Sequence, residues 1–266
     1  MTARRPALAF GAALLLAAGG VLAVVLLAAC SQTATITTLC HSQSASVSGG
    51  AYTIMNNEWH SHAAQCITTD GTASFTVTSS AIAARHGTPG GYPFIYKGCH
   101  WGACTSGSGL PIRVSDIHPG TVITSWSTSQ PGGSNVYNVA YDIWFNQTPT
   151  TNSQPDGAEL MIWLNRHGPV HPAGSPVASG VSIGGHDYDV WFRQWHWNTI
   201  TYTMTTGATS VSHLDLQALV ADAVSRGYIG TSWYLIGVEA GFELWHGGAG
   251  LATNSFAVNV AGGGSS

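Results

Sequence analysis

The chain has 266 residues, 12 of them acidic and 8 basic, for a formal net charge of −4, and only 8% of its residues are charged. Ten Trp and nine Tyr stand against that low charge. The balance excludes a nucleic-acid binder, which needs a basic face, and argues against a fold of solvated helices. It suits β-sheets with polar uncharged loops that meet a neutral partner.

In chain order, residues 1–30 read as a targeting segment. Arg4 and Arg5 precede an apolar run from Ala7 to Ala29, the arrangement of an export signal. The run is long enough to be kept as a membrane anchor. Leu27-Ala28-Ala29-Cys30 resembles a bacterial lipobox, in which Cys30 carries a lipid; an ordinary cleaved signal is the third possibility. In each case the remainder works outside the cytoplasm, in the medium or at the cell surface, and touches a membrane only through such an anchor.

Residues 31–38 read as a polar tether, 39–261 as one domain, and 262–266 as a tail. Between Leu39 and Val260, short apolar stretches alternate with Gly, Pro, Asn and Ser clusters at strand spacing. Strands are expected at Tyr52–Met55, Ser74–Thr78, Tyr137–Phe145, Glu159–Asn165, Asp187–Phe192 and Ser255–Val260. One segment breaks the pattern: Leu216, Leu219, Val220, Ala223 and Val224 recur at helical spacing. Ser212 with Asp215 reads as its N-cap and first-turn acid, and Gly227 as its stop. The expected fold is an all-β sandwich of two packed antiparallel sheets, with this amphipathic helix on the outside.

An exported chain with five Cys leaves one to explain. If Cys30 takes a lipid, four remain for an oxidising compartment to pair, in any of three connectivities. Cys99 and Cys104 would close a short loop, and Cys40 with Cys66 would then tie the N-terminal strand to the next. Among twelve His, the pairs His60/His62 and His167/His171 lack a carboxylate partner at zinc-enzyme spacing, so neither metal nor cofactor is expected.

There are four glutamates: Glu58, Glu159, Glu239 and Glu243. Glu159 opens the apolar run Glu159-Leu160-Met161-Ile162-Trp163-Leu164, where an acid is costly unless used or paired. Strand alternation puts Glu159, Met161 and Trp163 on one face, a fitting floor for a sugar cleft. Glu239 and Glu243 are four apart and would face the same way, so spacing does not choose between them. Glycoside hydrolysis needs two carboxyls, one ionised and one protonated.

Asn56-Asn57-Glu58-Trp59, Glu159 to Trp163 and Gly241 to Phe256 resemble, in order, signatures of glycoside hydrolase family 12, and Gly98-Cys99-His100 and Gly168 to Pro176 match as well. The resemblance runs from about Cys40 to Val260. It implies a jelly-roll sandwich whose concave sheet holds a β-glucan chain, and a retaining mechanism. Glu159 would attack the anomeric carbon; Glu243 would protonate the leaving oxygen and then activate water, with Glu239 a neighbour. Asp142, in Tyr141-Asp142-Ile143-Trp144, matches an acid that contacts the nucleophile. Asn57 and Trp59 match residues that hold a distal sugar, and His60 departs from the Gly usual after that Trp. Trp126 is a candidate second platform, with core packing as its alternative. The function implied is an endo-β-1,4-glucanase, and the chain is expected to act as a monomer. Xyloglucan or mixed-linkage glucan are alternative substrates, and an idle lectin-like sandwich is the alternative of another class.

Overall fold

The computed structural model describes residues 35–84 and 87–261. The first strands are Thr37–Cys40 (β1), Ser44–Val47 (β2), Tyr52–Met55 (β3), Gln65–Thr69 (β4), Phe75–Ser80 (β5) and Phe94–His100 (β6). Two short pairs, Ala103–Cys104 (β7) and Ile112–Arg113 (β8), precede Val122–Ser129 (β9), Val136–Asn146 (β10) and Ala158–His167 (β11). Then come Ser175–Ile183 (β12), His186–Gln194 (β13), Asn198–Met204 (β14), Ser210–Asp215 (β15) and the helix Leu216–Ser225 (α1). Tyr234–Gly241 (β16), Leu244–His246 (β17) and Ala252–Val260 (β18) complete the chain.

A six-stranded sheet in the order β1-β4-β5-β18-β9-β15 packs on a larger one running β12-β13-β14-β11-β10-β16-β6-β3-β2, with β17, β7 and β8 attached to β10, β6 and β16. This is the expected sandwich. One pair departs from the antiparallel rule: β11 and β14 run parallel, from Ala158↔Asn198 to Trp163↔Thr203. A parallel neighbour requires a long crossover, and the β12–β13 hairpin supplies it.

The central strands are buried on both faces. In β10, Tyr137, Val139, Tyr141, Ile143 and Phe145 enter the core between the sheets, as do Leu160, Ile162 and Leu164 of β11. The alternate residues of both strands point to the opposite face of the larger sheet. α1 follows β15, the edge of the smaller sheet. Its Leu216, Leu219, Val220 and Ala223 are buried in the core, and its Asp222 accepts a 2.7 Å bond from Tyr202 of β14.

Three expectations need correction. The domain starts earlier than residue 39, because Thr37 and Thr38 pair with Thr69 and Thr68; cross-strand Thr pairs stabilise a ladder that polarity alone does not reveal. The helix is capped by Asp215, whose side chain accepts from Gln217 N–H at 3.0 Å, while Ser212 belongs to β15.

Trp126 is the third. It lies on the smaller sheet, whose inner face is the core, and only 1% of it is exposed. Its ring packs 5.1 Å from Tyr141 and 5.7 Å from Phe242, and its Nε1–H donates to Thr253 Oγ1 at 3.1 Å. It is a core residue and meets no sugar.

Both bridges, Cys40–Cys66 and Cys99–Cys104, are formed. Cys40 and Cys66 are register partners in the β1–β4 ladder, with β2 and β3 of the other sheet between them in sequence. Closing a loop of 26 residues stabilises by about 3 kcal/mol through the unfolded chain. Cys30, the remaining targeting segment and residues 262–266 lie outside the described residues.

Trp126→Ala should destabilise the domain by about 3–5 kcal/mol in urea unfolding, the cost of emptying a large aromatic site. A loss below about 1 kcal/mol would contradict its place in the core.

Candidate active site

The outward face of the larger sheet floors a cavity of about 780 Å³. Strand alternation delivers its side chains: Asp142 and Trp144 from β10, Glu159, Met161 and Trp163 from β11, Thr199 from β14 and Glu239 from β16 all line it. Glu243 joins them from the two-residue break between β16 and β17, where Phe242 turns into the core and Glu243 into the cavity. Asn57 and Trp59 line the same cavity. Of the catalytic and sugar-binding candidates read from the sequence, only Trp126 lies elsewhere.

Each glutamate has its own partners. Glu159 Oε2 accepts from Trp197 Nε1–H and Thr199 Oγ1–H, both at 3.2 Å. Glu243 is clamped by one residue of β10. Asn138 Nδ2 donates to its Oε2, Asn138 Oδ1 accepts from its N–H at 3.0 Å, and Asn138 N–H donates to its carbonyl at 3.1 Å. Glu239, 1% exposed, bonds His100 Nδ1 at 2.8 Å, so it too faces the cleft.

Asp142 is 6% exposed and faces Glu239 and Met161 across its two ladders. No hydrogen bond joins it to Glu159 among the described residues, and its Oδ1 has no partner there. The contact implied by the resemblance is therefore electrostatic, a charge effect across the floor.

Burial is the leading influence on these acids. It pushes Glu159 up to about 7, opposed by the bonds from Trp197 and Thr199 and reinforced by the charge of Glu239. Burial and then the Glu159 charge push Glu243 up to about 8, with Asn138 opposing. Asp142 is held well above the usual carboxylate range by burial, then by Glu159, Glu243 and Glu239. The group therefore retains protons near neutral pH.

The walls are built from loops. Asn57 sits at φ 43°, left-handed backbone that Asn tolerates better than most residues. Neighbouring Glu58 fixes that turn: its Oε1 accepts from His41 N–H at 3.2 Å and Gln65 N–H at 2.8 Å. Trp59 stays half exposed, 50%, beside the ring of His60 at 5.4 Å. Trp101 stands on the β6–β7 turn closed by Cys99–Cys104, its ring 4.9 Å from Trp144. Trp245 Nε1–H donates to Gly87 carbonyl at 2.5 Å.

Asn138, Trp197, Thr199 and Trp101 were not singled out from the sequence, and His100 entered only within the matched Gly98-Cys99-His100, with no role assigned. A signal existed for Asn138, four residues before Asp142 and thus on the same strand face. None existed for Trp197 and Thr199, which reach Glu159 only because β14 lies beside β11.

The family model described as Glycosyl hydrolase family 12 matches residues 50–261. The chain is 31% identical over 154 residues to "Probable cellulase Cel12b" of Mycobacterium tuberculosis, covering 58% of this chain and 99% of that one. It is 33% identical over 180 residues to "Endoglucanase S" of Pectobacterium parmentieri, covering 64% of this chain and 65% of that longer relative. Among solved structures, "Endoglucanase cel12A from Rhodothermus marinus" superposes with a TM-score of 0.80 at 47% identity, covering 84% of this chain and 98% of that one.

The raised carboxyls have a thermodynamic signature. With a folded value near 8 against an ordinary 4.5, protonated Glu243 favours the fold fully below about pH 4.5. That contribution is lost as pH rises through 8. Glu243→Gln removes the dependence, so the variant should gain stability over wild type between pH 5 and pH 8. The gain should be on the order of 2 kcal/mol, allowing for water that reaches the carboxyl from the cleft. Urea unfolding at both pH values tests this, and a difference independent of pH would refute it.

Proposed function

This chain belongs to glycosyl hydrolase family 12, and from that premise we propose that it cuts β-1,4-linked glucan within the chain, with Glu159 as nucleophile and Glu243 as acid and base. It is a glycoside hydrolase of the endoglucanase, or cellulase, type. What carries the residue assignment is the presence of both carboxyls in one cavity, each held by its own donors, Trp197 and Thr199 on Glu159 and Asn138 on Glu243.

The chemistry follows from those surroundings. Trp197 and Thr199 donate to Glu159 and favour its ionised form. Once Glu159 is charged, its field keeps the proton on Glu243. Glu159 attacks the anomeric carbon while Glu243 passes its proton to the glycosidic oxygen, and the C–O bond breaks with its electrons on the departing sugar. The ester formed on Glu159 is then opened by water. Glu243, now a carboxylate, takes the water's proton, and Glu159 leaves as the free carboxylate.

Asp142 Oδ1, Trp144 Nε1 and Trp163 Nε1 lack partners among the described residues while lining the cavity. Buried polar atoms without partners are costly. Asn57 and Trp59 would hold the sugars on the non-reducing side, the indole against a pyranose face. We read the protein as exported, in the medium or as a cell-surface lipoprotein. Arg4, Arg5, the apolar run and Cys30 support that reading, as do two disulfides in the domain.

Proton NMR of the first products from a soluble β-glucan should show the β-anomer before mutarotation. Glu159→Gln should lower turnover on the order of a thousandfold or more while oligosaccharide binding persists. An initial α-anomer, or full activity in Glu159→Gln, would overturn the assignment. Reducing-sugar release from soluble cellulose, barley glucan and xyloglucan ranks the substrates.

A further inference from the structure

Trp101-Gly102 is a two-residue hairpin turn between β6 and β7, with both residues in left-handed backbone at φ 43° and 88°. Such turns favour Asn-Gly or Asp-Gly, and the Cβ of a bulky Trp is poorly accommodated at the first position. The ladder that holds the turn is short, with two register pairs, Cys99↔Cys104 and His100↔Ala103. Beyond it, Thr105 N–H donates to Gly98 carbonyl at 2.9 Å and Ser106 N–H to Gly50 carbonyl at 3.0 Å. A short ladder with an ill-suited turn residue is thus closed covalently, by Cys99–Cys104.

The two disulfides differ in access. Cys99 is 4% exposed, whereas Cys104 and its neighbour in β7 are exposed. Cys40 and Cys66 are each half-buried and sit in a ladder of four pairs. Thiol–disulfide exchange begins with a thiolate attacking an accessible sulfur, so Cys99–Cys104 is the bridge open to a reagent from solvent. The turn that it closes carries two rings. Trp101 packs 4.9 Å from Trp144 and 6.5 Å from Trp197, the residue that bonds Glu159. His100 is the one side chain bonded to Glu239 among the described residues. Opening the turn would leave that buried carboxylate without a partner, a costly state.

We propose that Cys99–Cys104 is a reversible, thiol-sensitive latch on the activity of this protein. A small-molecule thiolate attacks Cys104 Sγ, the S–S bond breaks with its electron pair on Cys99 Sγ, and that sulfur takes a proton from water. A second thiol then displaces Cys104 from the mixed disulfide. Two thiols are oxidised to a disulfide as the two cysteines are reduced, and a small-molecule disulfide reverses both steps. Without its clasp the turn releases Trp101 and His100, and activity falls. Only this last step rests on the endoglucanase reading.

The test treats the whole protein with dithiothreitol at neutral pH without denaturant, then alkylates and maps the free thiols. Cys99 and Cys104 should be modified while Cys40 and Cys66 stay paired. Amide hydrogen exchange should rise within residues 98–106 and stay unchanged in β1 and β4. On a soluble β-glucan, kcat/KM should fall on the order of tenfold, the weight of one displaced aromatic contact, and return on reoxidation with oxidised glutathione. Cys99→Ala/Cys104→Ala should start at the lowered value and ignore the thiol. Opening of Cys40–Cys66 before Cys99–Cys104 overturns the latch. So does modification of Cys99 and Cys104 with exchange or kcat/KM unchanged, and so does a rise in exchange across the whole domain, which marks unfolding. Wild-type protein that cleaves no β-glucan fails the endoglucanase reading instead, and the alkylation map and amide exchange then decide the latch by themselves.

Discussion

The pleat of a few strands buried on both faces governs this protein. In β10, residues alternate between a dry core and the cavity floor, so Tyr141 and Asp142 are neighbours in sequence and opposites in environment. A slip of one residue would drive Asp142 into the core and expose Tyr141. The packing of Val139, Tyr141, Ile143, Leu160 and Ile162 between the sheets therefore sets where the carboxyls stand. The core is the positioning device for the chemistry.

That arrangement has an electrostatic cost. Asp142, Glu159, Glu239 and Glu243 share a floor of low polarity, and burial raises the pKa of three of them. Each glutamate is relieved differently: by Trp197 and Thr199, by His100, or by Asn138. Asp142 is left with an unpartnered oxygen. A fold selected for stability alone would have paired or removed these groups. Different donors on each carboxyl are how one fold sets neighbouring acids in unlike surroundings.

The walls depend on tethered loops. Glu58 bonds the residues after Cys40 and before Cys66, so the first disulfide and this buried acid brace the segment bearing Asn57 and Trp59 together. The second disulfide closes the turn that carries Trp101. Rigid loops hold binding rings in place without a large entropy loss on binding.

The sequence by itself determined the all-β class, the helix after residue 215, the shared strand face of Glu159, Met161 and Trp163, and the motif order that marks the family. These are local or periodic properties, written in neighbouring residues. Only the tertiary structure decided which face of a strand is core and which is cleft. Trp126 reads like any other aromatic in a strand, and its burial follows from membership in the smaller sheet. The same holds for Asn138 on Glu243 and Trp197 on Glu159, contacts between residues 105 and 38 positions apart. Such contacts exist because β10 meets β17 and β14 returns parallel to β11. Periodicity fixes the direction of a side chain within its own strand, whereas a partner that far along the chain is chosen by how the sheets assemble.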